Sequence, residues 1–403
     1  MDNDRFHSLD GLRASMMLLG VWLHTVVGYS REGGWPYKDP HPTAAFDWTL
    51  GLIHTFRMPL FMAMAGFFGA LLWAKRGRDG FAANRARRIL LPFVLGWFAV
   101  MPVSLLMAAW SRTRSVEASL GFFTSGAFVP HLHPGHLWFL EYLLVLYAVA
   151  GIAVPLLDRL PGRVLSAANA AYRRAVGSVA APLLLAVPAA LTLSLMRQGF
   201  LEDPPGFVPV PRIVLAYAVP FAFGWILYRN RDLLPAIERR AWPNTLAAAG
   251  LFAGWVAFVA PRQHALGEAG RYARAGVGGL LLWLLVFGIT GLFLRYAASE
   301  RPAWRYLSDG SYWIYVVHMP VVMAFQIALA GVAAPTEAKV LAVASLSFVA
   351  LVASYDRLAR PTWVGALLNG RRHPRGLPAV GAASPRASAV RPATALAGAT
   401  AGR

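Results

Sequence analysis

Ten stretches of the chain are almost wholly apolar and are bounded by polar or charged residues: 12–30, 50–74, 89–110, 137–157, 179–196, 212–228, 243–261, 275–295, 311–331 and 338–355. A helix needs roughly 20 residues to cross about 30 Å of hydrocarbon. The pattern therefore predicts an all-α fold, a polytopic transmembrane bundle of about ten spans. The fifth stretch, LLLAVPAALTLSLM, is interrupted by Pro188 and preceded by Pro182. Membrane helices tolerate proline where neighbouring groups satisfy the freed carbonyls. No segment between these stretches is long enough for a second folded domain. Residues 1–360 are assigned to one membrane domain, and residues 361–403 to a basic tail rich in Ala, Pro and Arg.

Composition supports this picture. Hydrophobic residues make up 57% of the 403 positions and charged residues only 14%, where a soluble domain carries about a quarter. The absence of cysteine excludes disulfides, thiol chemistry and every cysteine-based metal site. A net charge of +19 suggests nucleic acid at first sight, but the arginines gather in short loops, as membrane topology requires. Loops after even-numbered spans hold seventeen Lys and Arg, against ten in the opposite set. Both termini are accordingly expected in the cytoplasm. The N-terminal residues MDNDRFHSLDGLRA include two acidic groups before the first arginine, and no small-residue cleavage site follows the apolar run. That favours a retained first span over a signal peptide. From Arg371 onward six arginines and no acidic residue are present. This part is expected to be disordered and to act as a topogenic signal near anionic lipid.

Ionisable groups inside the spans are costly and mark candidate sites. Asp10, Arg13 and His24 open the chain's first span. Eleven steps at about 100° each bring Arg13 and His24 to one helix face, with His24 roughly 16 Å deeper. A histidine well inside the bilayer is a candidate general base; the alternative is a hydrogen bond to a neighbouring helix. In HTFRMPLFMAMAGFF, His54 and Arg57 stand one turn apart near the outer end of span 2. Arg57 suits a carboxylate or phosphate, with snorkelling to the interface as its alternative. HLHPGHLWFLEYLLVLY carries three histidines, but Pro134 and Gly135 break any helix that would align them on a metal, and no metal site is assigned. Glu141, one turn into that span, requires an arginine or a substrate hydroxyl as partner. In SYWIYVVHMP, Ser311, Tyr315 and His318 share a face, either as site residues or as a structural hydrogen-bonding strip.

Together these segments resemble a known family. Arg13, ten residues and His24 match the R-x10-H signature of the acyltransferase-3 family of integral-membrane O-acyltransferases. SLDGLRA, FRMPLFMAMAGFF, GHLWFLEYLL and SYWIYVVHMP stand in the family's order. The FRMPLF, GHLWFL and YxxH set is most similar to the branch of periplasmic-glucan succinyltransferases. A lone R-x10-H would mean little; four segments spread over nearly all ten spans are specific. The resemblance implies a multi-pass protein of the bacterial inner membrane. It also implies acyl transfer from cytoplasmic acyl-CoA, with succinyl-CoA as the candidate donor, to carbohydrate hydroxyls outside, with no tightly bound cofactor. His24 is implied as general base or acyl relay. Arg13 would position it or hold donor phosphate, and Asp10, His54, Arg57, Glu141, Tyr315 and His318 would contact substrate. Arg85, Arg87 and Arg88 would attract the anionic donor at a cytoplasmic mouth. Two features depart from the family's pattern: Ala65 stands where a serine often precedes Gly66, and the tail has no counterpart. The alternative from another class is a transporter or flippase for a glycan-related solute. Such proteins often carry paired broken helices in internal repeats, and no convincing repeat occurs here. A purely structural partner of a glycan-synthesis complex would leave Asp10, Arg13 and His24 without a reason.

Overall fold

A computed structural model describes residues 7–262, 266–299 and 301–377. These residues contain helices and connecting loops but no strand. The helices are α1 (His7–Val26), α2 (Ala44–Arg85), α3 (Leu91–Thr113), α4 (Val116–Thr124), α5 (Trp138–Leu157), α6 (Gly162–Gly177) and α7 (Ala181–Ser194). They continue with α8 (Pro211–Arg229), α9 (Leu234–Arg239), α10 (Ala241–Gly254), α11 (Gly267–Tyr296), α12 (Pro302–Ala328), α13 (Thr336–Ser354) and α14 (Trp363–Asn369).

Among the described residues, eight helical runs are long and apolar enough to cross a membrane, or up to nine if the bent pair α6–α7 counts as one span. Two local features relate these to the ten expected spans. The run Ala44–Thr113 has 70 residues, roughly 105 Å at 1.5 Å per residue, too long for one crossing. Gly77 breaks it, with φ 66° and ψ −173°, a backbone conformation that glycine tolerates. The expected spans 50–74 and 89–110 lie on either side of that break. The fifth expected span is α7, only 14 residues, and α6 meets it at 114°.

Helix directions argue that α7 nevertheless traverses the bundle. Gly224 packs against Ala63, and Tyr228 meets Phe67 edge-on at 5.4 Å, one turn further along both helices. Helices α2 and α8 are therefore parallel, which requires an odd number of crossings between them. Helices α3 and α5 supply two, and α7 supplies the third. The α2–α8 contact is backbone to backbone: a Cβ on Gly66 would collide with the Phe221 carbonyl. Small residues at such a seam allow the close packing that drives helix association in lipid. Outward-facing side chains such as Phe98, Leu191 and Val349 are 64–66% exposed and form the lipid-facing surface.

Helix α1 runs parallel to α12, and the segment 30–43 folds over their common end. Its anchors are numerous. The Asp39 amide donates to Gly28 O (2.9 Å), Thr336 Oγ1 to His41 O (2.9 Å), and Lys38 Nζ to the carbonyls of Val27, Ser30 and Glu32. Asp39 also pairs with Lys339 on α13 at 3.0 Å, with side chains 0% and 7% exposed. Burial alone would raise the Asp39 pKa. The His41 amide, Lys339 and the Tyr37 hydroxyl favour the carboxylate and hold it below the usual 3.8. A carboxyl depressed on folding contributes stability above its unfolded pKa and loses it as pH falls through the folded value. Lys339→Met is expected to strand a buried carboxylate and cost about 3–5 kcal/mol, measured by thermal unfolding. In the parent the pair's contribution should fade only below about pH 4.

Residues 361–377, placed in the tail by composition, continue the packed structure. Arg88 Nη1 donates to the carbonyls of Ala366 and Leu367 (2.8 and 2.7 Å) at the end of α14, and the Gly376 amide donates to Asp356. Arg85 lies over the Tyr147 ring, 4.8 Å from its centroid. Two of the three arginines expected at a donor mouth thus hold the fold together, and Arg87 alone is exposed. The rest of the expected tail, 378–403, and the first six residues lie outside the described residues.

Candidate active site

The ends of α1 and α2 that flank segment 30–43 meet the middle of α12 and the start of α5 around a cavity. His24, His54, Arg57, His136, Tyr315 and His318 all line it, together with Asp203 from the loop before α8. His24 stands in the last turn of α1, so it is near one end of its helix rather than at mid-depth. Its ring is held between two others: Trp35 stacks on it at 5.4 Å and 21°, and His318 lies at 5.0 Å. Trp35 Nε1 donates to Gln326 Oε1 (2.8 Å), and Gln326 Nε2 donates to the carbonyls of His24 and Thr25 (3.2 and 2.9 Å). Gln326 is wholly buried, and this bridge ties segment 30–43, α1 and α12 at the site.

Proline organises the α12 side. Pro320 has no N–H, so the carbonyl of Val316, four residues earlier, is left without its helical partner. His136 fills that gap, with Nε2 3.0 Å from Val316 O, while Tyr315 Oη donates to His136 O at 2.7 Å. Gly135, at φ 58°, starts the short turn that brings His136 to α12. The Tyr315 proton is thereby committed to a carbonyl, which leaves Arg57 as the group able to stabilise developing negative charge in the cavity.

Arg57 is the cation of the cavity. Among the described residues no carboxylate lies within 4 Å of it; its Nη2 touches Met58 Sδ at 3.3 Å, and its Nε is buried without a partner. An unpaired buried guanidinium is costly and presents its charge to whatever enters the cavity. Its place depends on α1: a Cβ built on Gly20 would overlap Arg57 Nη1. Gly20→Ala is expected to displace the guanidinium and lower turnover about tenfold or more, with the melting temperature nearly unchanged. Parallel activity and unfolding assays check this.

The sequence-derived candidates divide between two places. His24, His54, Arg57, Tyr315 and His318 come together. Arg13 does share the face of His24 that meets α12, but about three turns away, where its Nη2 donates to Ser308 Oγ (2.8 Å) and lies 3.5 Å from Asp10. Neither Arg13 nor Asp10 touches the cavity. Glu141 does not line it either; its Oε2 is buried without a protein partner. His136, Asp203, Trp35 and Gln326 were not singled out from the sequence. His136 stood among three histidines considered only as metal ligands. Of these, His133 Nδ1 instead accepts the Gly135 amide, and no metal-holding group of three or more His, Cys, Asp or Glu occurs among the described residues. Asp203, 3.5 Å from His54 Nε2, and Trp35 sit in loops without periodicity, where only tertiary structure shows their neighbours.

Among the described residues, the cavity lining offers a histidine base and a cation but no serine or threonine. That combination suits proton transfer coupled to stabilisation of developing negative charge. A family model described as an acyltransferase domain matches residues 6–356. The chain belongs to this acyltransferase family. It is 23% identical over 331 residues to the glucans biosynthesis protein C of Salmonella gallinarum, covering 80% of this chain and 83% of the relative. To the protein of the same name from Salmonella typhimurium it is 24% identical over 345 residues, with the same coverage. No solved structure matches it. The protein is a membrane-embedded acyltransferase, and the histidine–arginine cavity is its candidate active site.

Proposed function

We propose that the enzyme moves an acyl group from cytoplasmic acyl-CoA to hydroxyls of a periplasmic or cell-surface glycan, acting in the bacterial inner membrane. The observation that carries this reading is a cavity in which His24 and the unpaired Arg57 face the same space. The relatives' name, glucans biosynthesis protein C, supports a glucan acceptor such as osmoregulated periplasmic glucan. The excess of basic residues in loops after even-numbered spans supports cytoplasmic termini. Succinyl-CoA is the candidate donor from the branch that the FRMPLF, GHLWFL and YxxH set resembles.

In the proposed reaction His24 takes the proton of the acceptor hydroxyl as its oxygen attacks the thioester carbon. Arg57 stabilises the oxyanion that forms on the carbonyl oxygen. The C–S bond then breaks, and the departing thiolate takes the proton from His24, which returns to its neutral state. Under the proposed orientation, Arg13 lies at the cytoplasmic end of α1, where it receives donor phosphate, with Asp10 beside it. The thioester must then travel roughly 16 Å along α1 to reach His24. The acceptor approaches from the opposite end, past His54 and Asp203.

Full-length enzyme in lipid nanodiscs, supplied with a panel of acyl-CoA donors and periplasmic glucan, tests the reading. The expected result by mass spectrometry is one added acyl mass per modified hydroxyl. Undecorated glucan with every donor would contradict it.

A further inference from the structure

The proposed reaction uses one nitrogen of His24 and leaves the chemistry of His318 open. His318 is 3% exposed, and its Nδ1 lies 2.7 Å from the Tyr315 carbonyl. A carbonyl can only accept, so Nδ1 carries the hydrogen, and in a neutral imidazole Nε2 is then a lone-pair acceptor. That Nε2 is buried with no partner. On the adjoining ring, 5.0 Å away between centroids, His24 Nδ1 is likewise buried with no partner. Buried polar atoms are normally satisfied, and each one left unmatched is costly. Here two neighbouring unmatched nitrogens occur together, one of which must accept.

We propose that His318 is a positioning residue that holds His24 in the tautomer protonated on Nδ1, so that His24 Nε2 is the base facing the cavity. This rests on the reading of His24 as general base. Nδ1–H of His24 donates to Nε2 of His318, whose own Nδ1–H donates to the Tyr315 carbonyl. With the ring centroids 5.0 Å apart, the contact closes in the substrate complex; catalytic hydrogen bonds are commonly long before substrate binds. Trp35, stacked on the His24 ring and fixed through its bond to Gln326, restrains that ring beside α12. The other charged or titratable groups around the cavity are His54 and Arg57 on α2, His136, Tyr315 and Asp203, and none of them hydrogen-bonds His24 Nδ1. When His24 takes the acceptor's proton on Nε2, the imidazolium keeps its Nδ1–H on His318, and His318 changes neither charge nor tautomer. His318 thus performs the orienting task that a carboxylate performs in a Ser–His–Asp triad, without placing a second charge in the bilayer.

Two measurements on the full-length enzyme in nanodiscs test this. Nitrogen-15 spectra of histidine-labelled protein, with His24 assigned by its loss in His24→Gln, should show His24 protonated on Nδ1; protonation on Nε2 overturns the proposal. Kinetically, His318→Leu should lower kcat by about 10²–10⁴-fold with KM little changed. His318→Gln, whose amide can accept from His24 and donate to Tyr315, should recover about tenfold or more of that loss. Gln no better than Leu, or Leu as active as the parent, would overturn it. Absence of transfer from any CoA thioester by the parent enzyme would refute the donor reading instead, and the tautomer measurement would still decide the His24–His318 pair.

Discussion

His24→Ala is expected to lower acyl transfer by about 10²–10⁴-fold, the range typical for loss of a positioned general base. The loss should fall on kcat, because α2, α5, α12 and the rest of α1 still line the cavity that receives substrate. Protein yield and insertion should remain close to parental, since the side chain removed contributes ring contacts with Trp35 and His318, while the bonds that tie α1 to α12 here come from its backbone. The bridge from Trp35 through Gln326 uses the His24 backbone carbonyl and survives the substitution. Kinetics and thermal unfolding on the same nanodisc preparation separate the two effects. Turnover within a few-fold of the parent would remove His24 from the reaction.

Arg57→Met is expected to lower kcat by about 10²–10³-fold, the typical effect of deleting one group that stabilises an oxyanion. Its effect on stability should have the opposite sign. The side chain is half-buried, its Nε is buried without a partner, and no carboxylate among the described residues lies within 4 Å, so the folded state carries an uncompensated desolvation cost. Methionine fills similar volume without charge and should leave the melting temperature unchanged or raised. Arg57→Lys keeps the charge but loses the planar fork, and should fall between the two in activity. Loss of activity accompanied by a gain in stability is the signature of a residue retained for function. An Arg57 needed only to hold α1 against α2 would give a clear loss of stability instead.

Much of this architecture was legible in the sequence because its physics is local. Each apolar run must satisfy its own backbone in lipid, so the spans at 212–228 and 275–295 fall inside α8 and α11 with little ambiguity. The shared face of Arg13 and His24 followed from helical periodicity, and both residues do turn towards α12. What the periodicity could not show was that three turns of helix leave Arg13 outside the cavity. The break that separates spans 2 and 3 within one long helical run depended on the conformation of Gly77, and the crossing by α7 on which helices it packs between. His136 was obscured by a reading confined to metal ligation, although Pro320 had already marked an orphan carbonyl at Val316 for some donor to fill. Trp35 and Gln326 are 291 positions apart, and nothing in the spacing of either predicts the bond between them.

In the proposed reaction the thioester and the His24–Arg57 cavity must meet. The direct measurement is a cryo-EM structure of the full-length enzyme with a non-transferable thioether analogue of the acyl-CoA donor. The analogue's carbonyl oxygen is expected at hydrogen-bonding distance from Arg57. The carbonyl carbon should be placed so that an acceptor hydroxyl held on His24 Nε2 stands about 3–3.5 Å from it. A donor bound with its acyl carbon away from this cavity, while the enzyme is active under the same conditions, would contradict it.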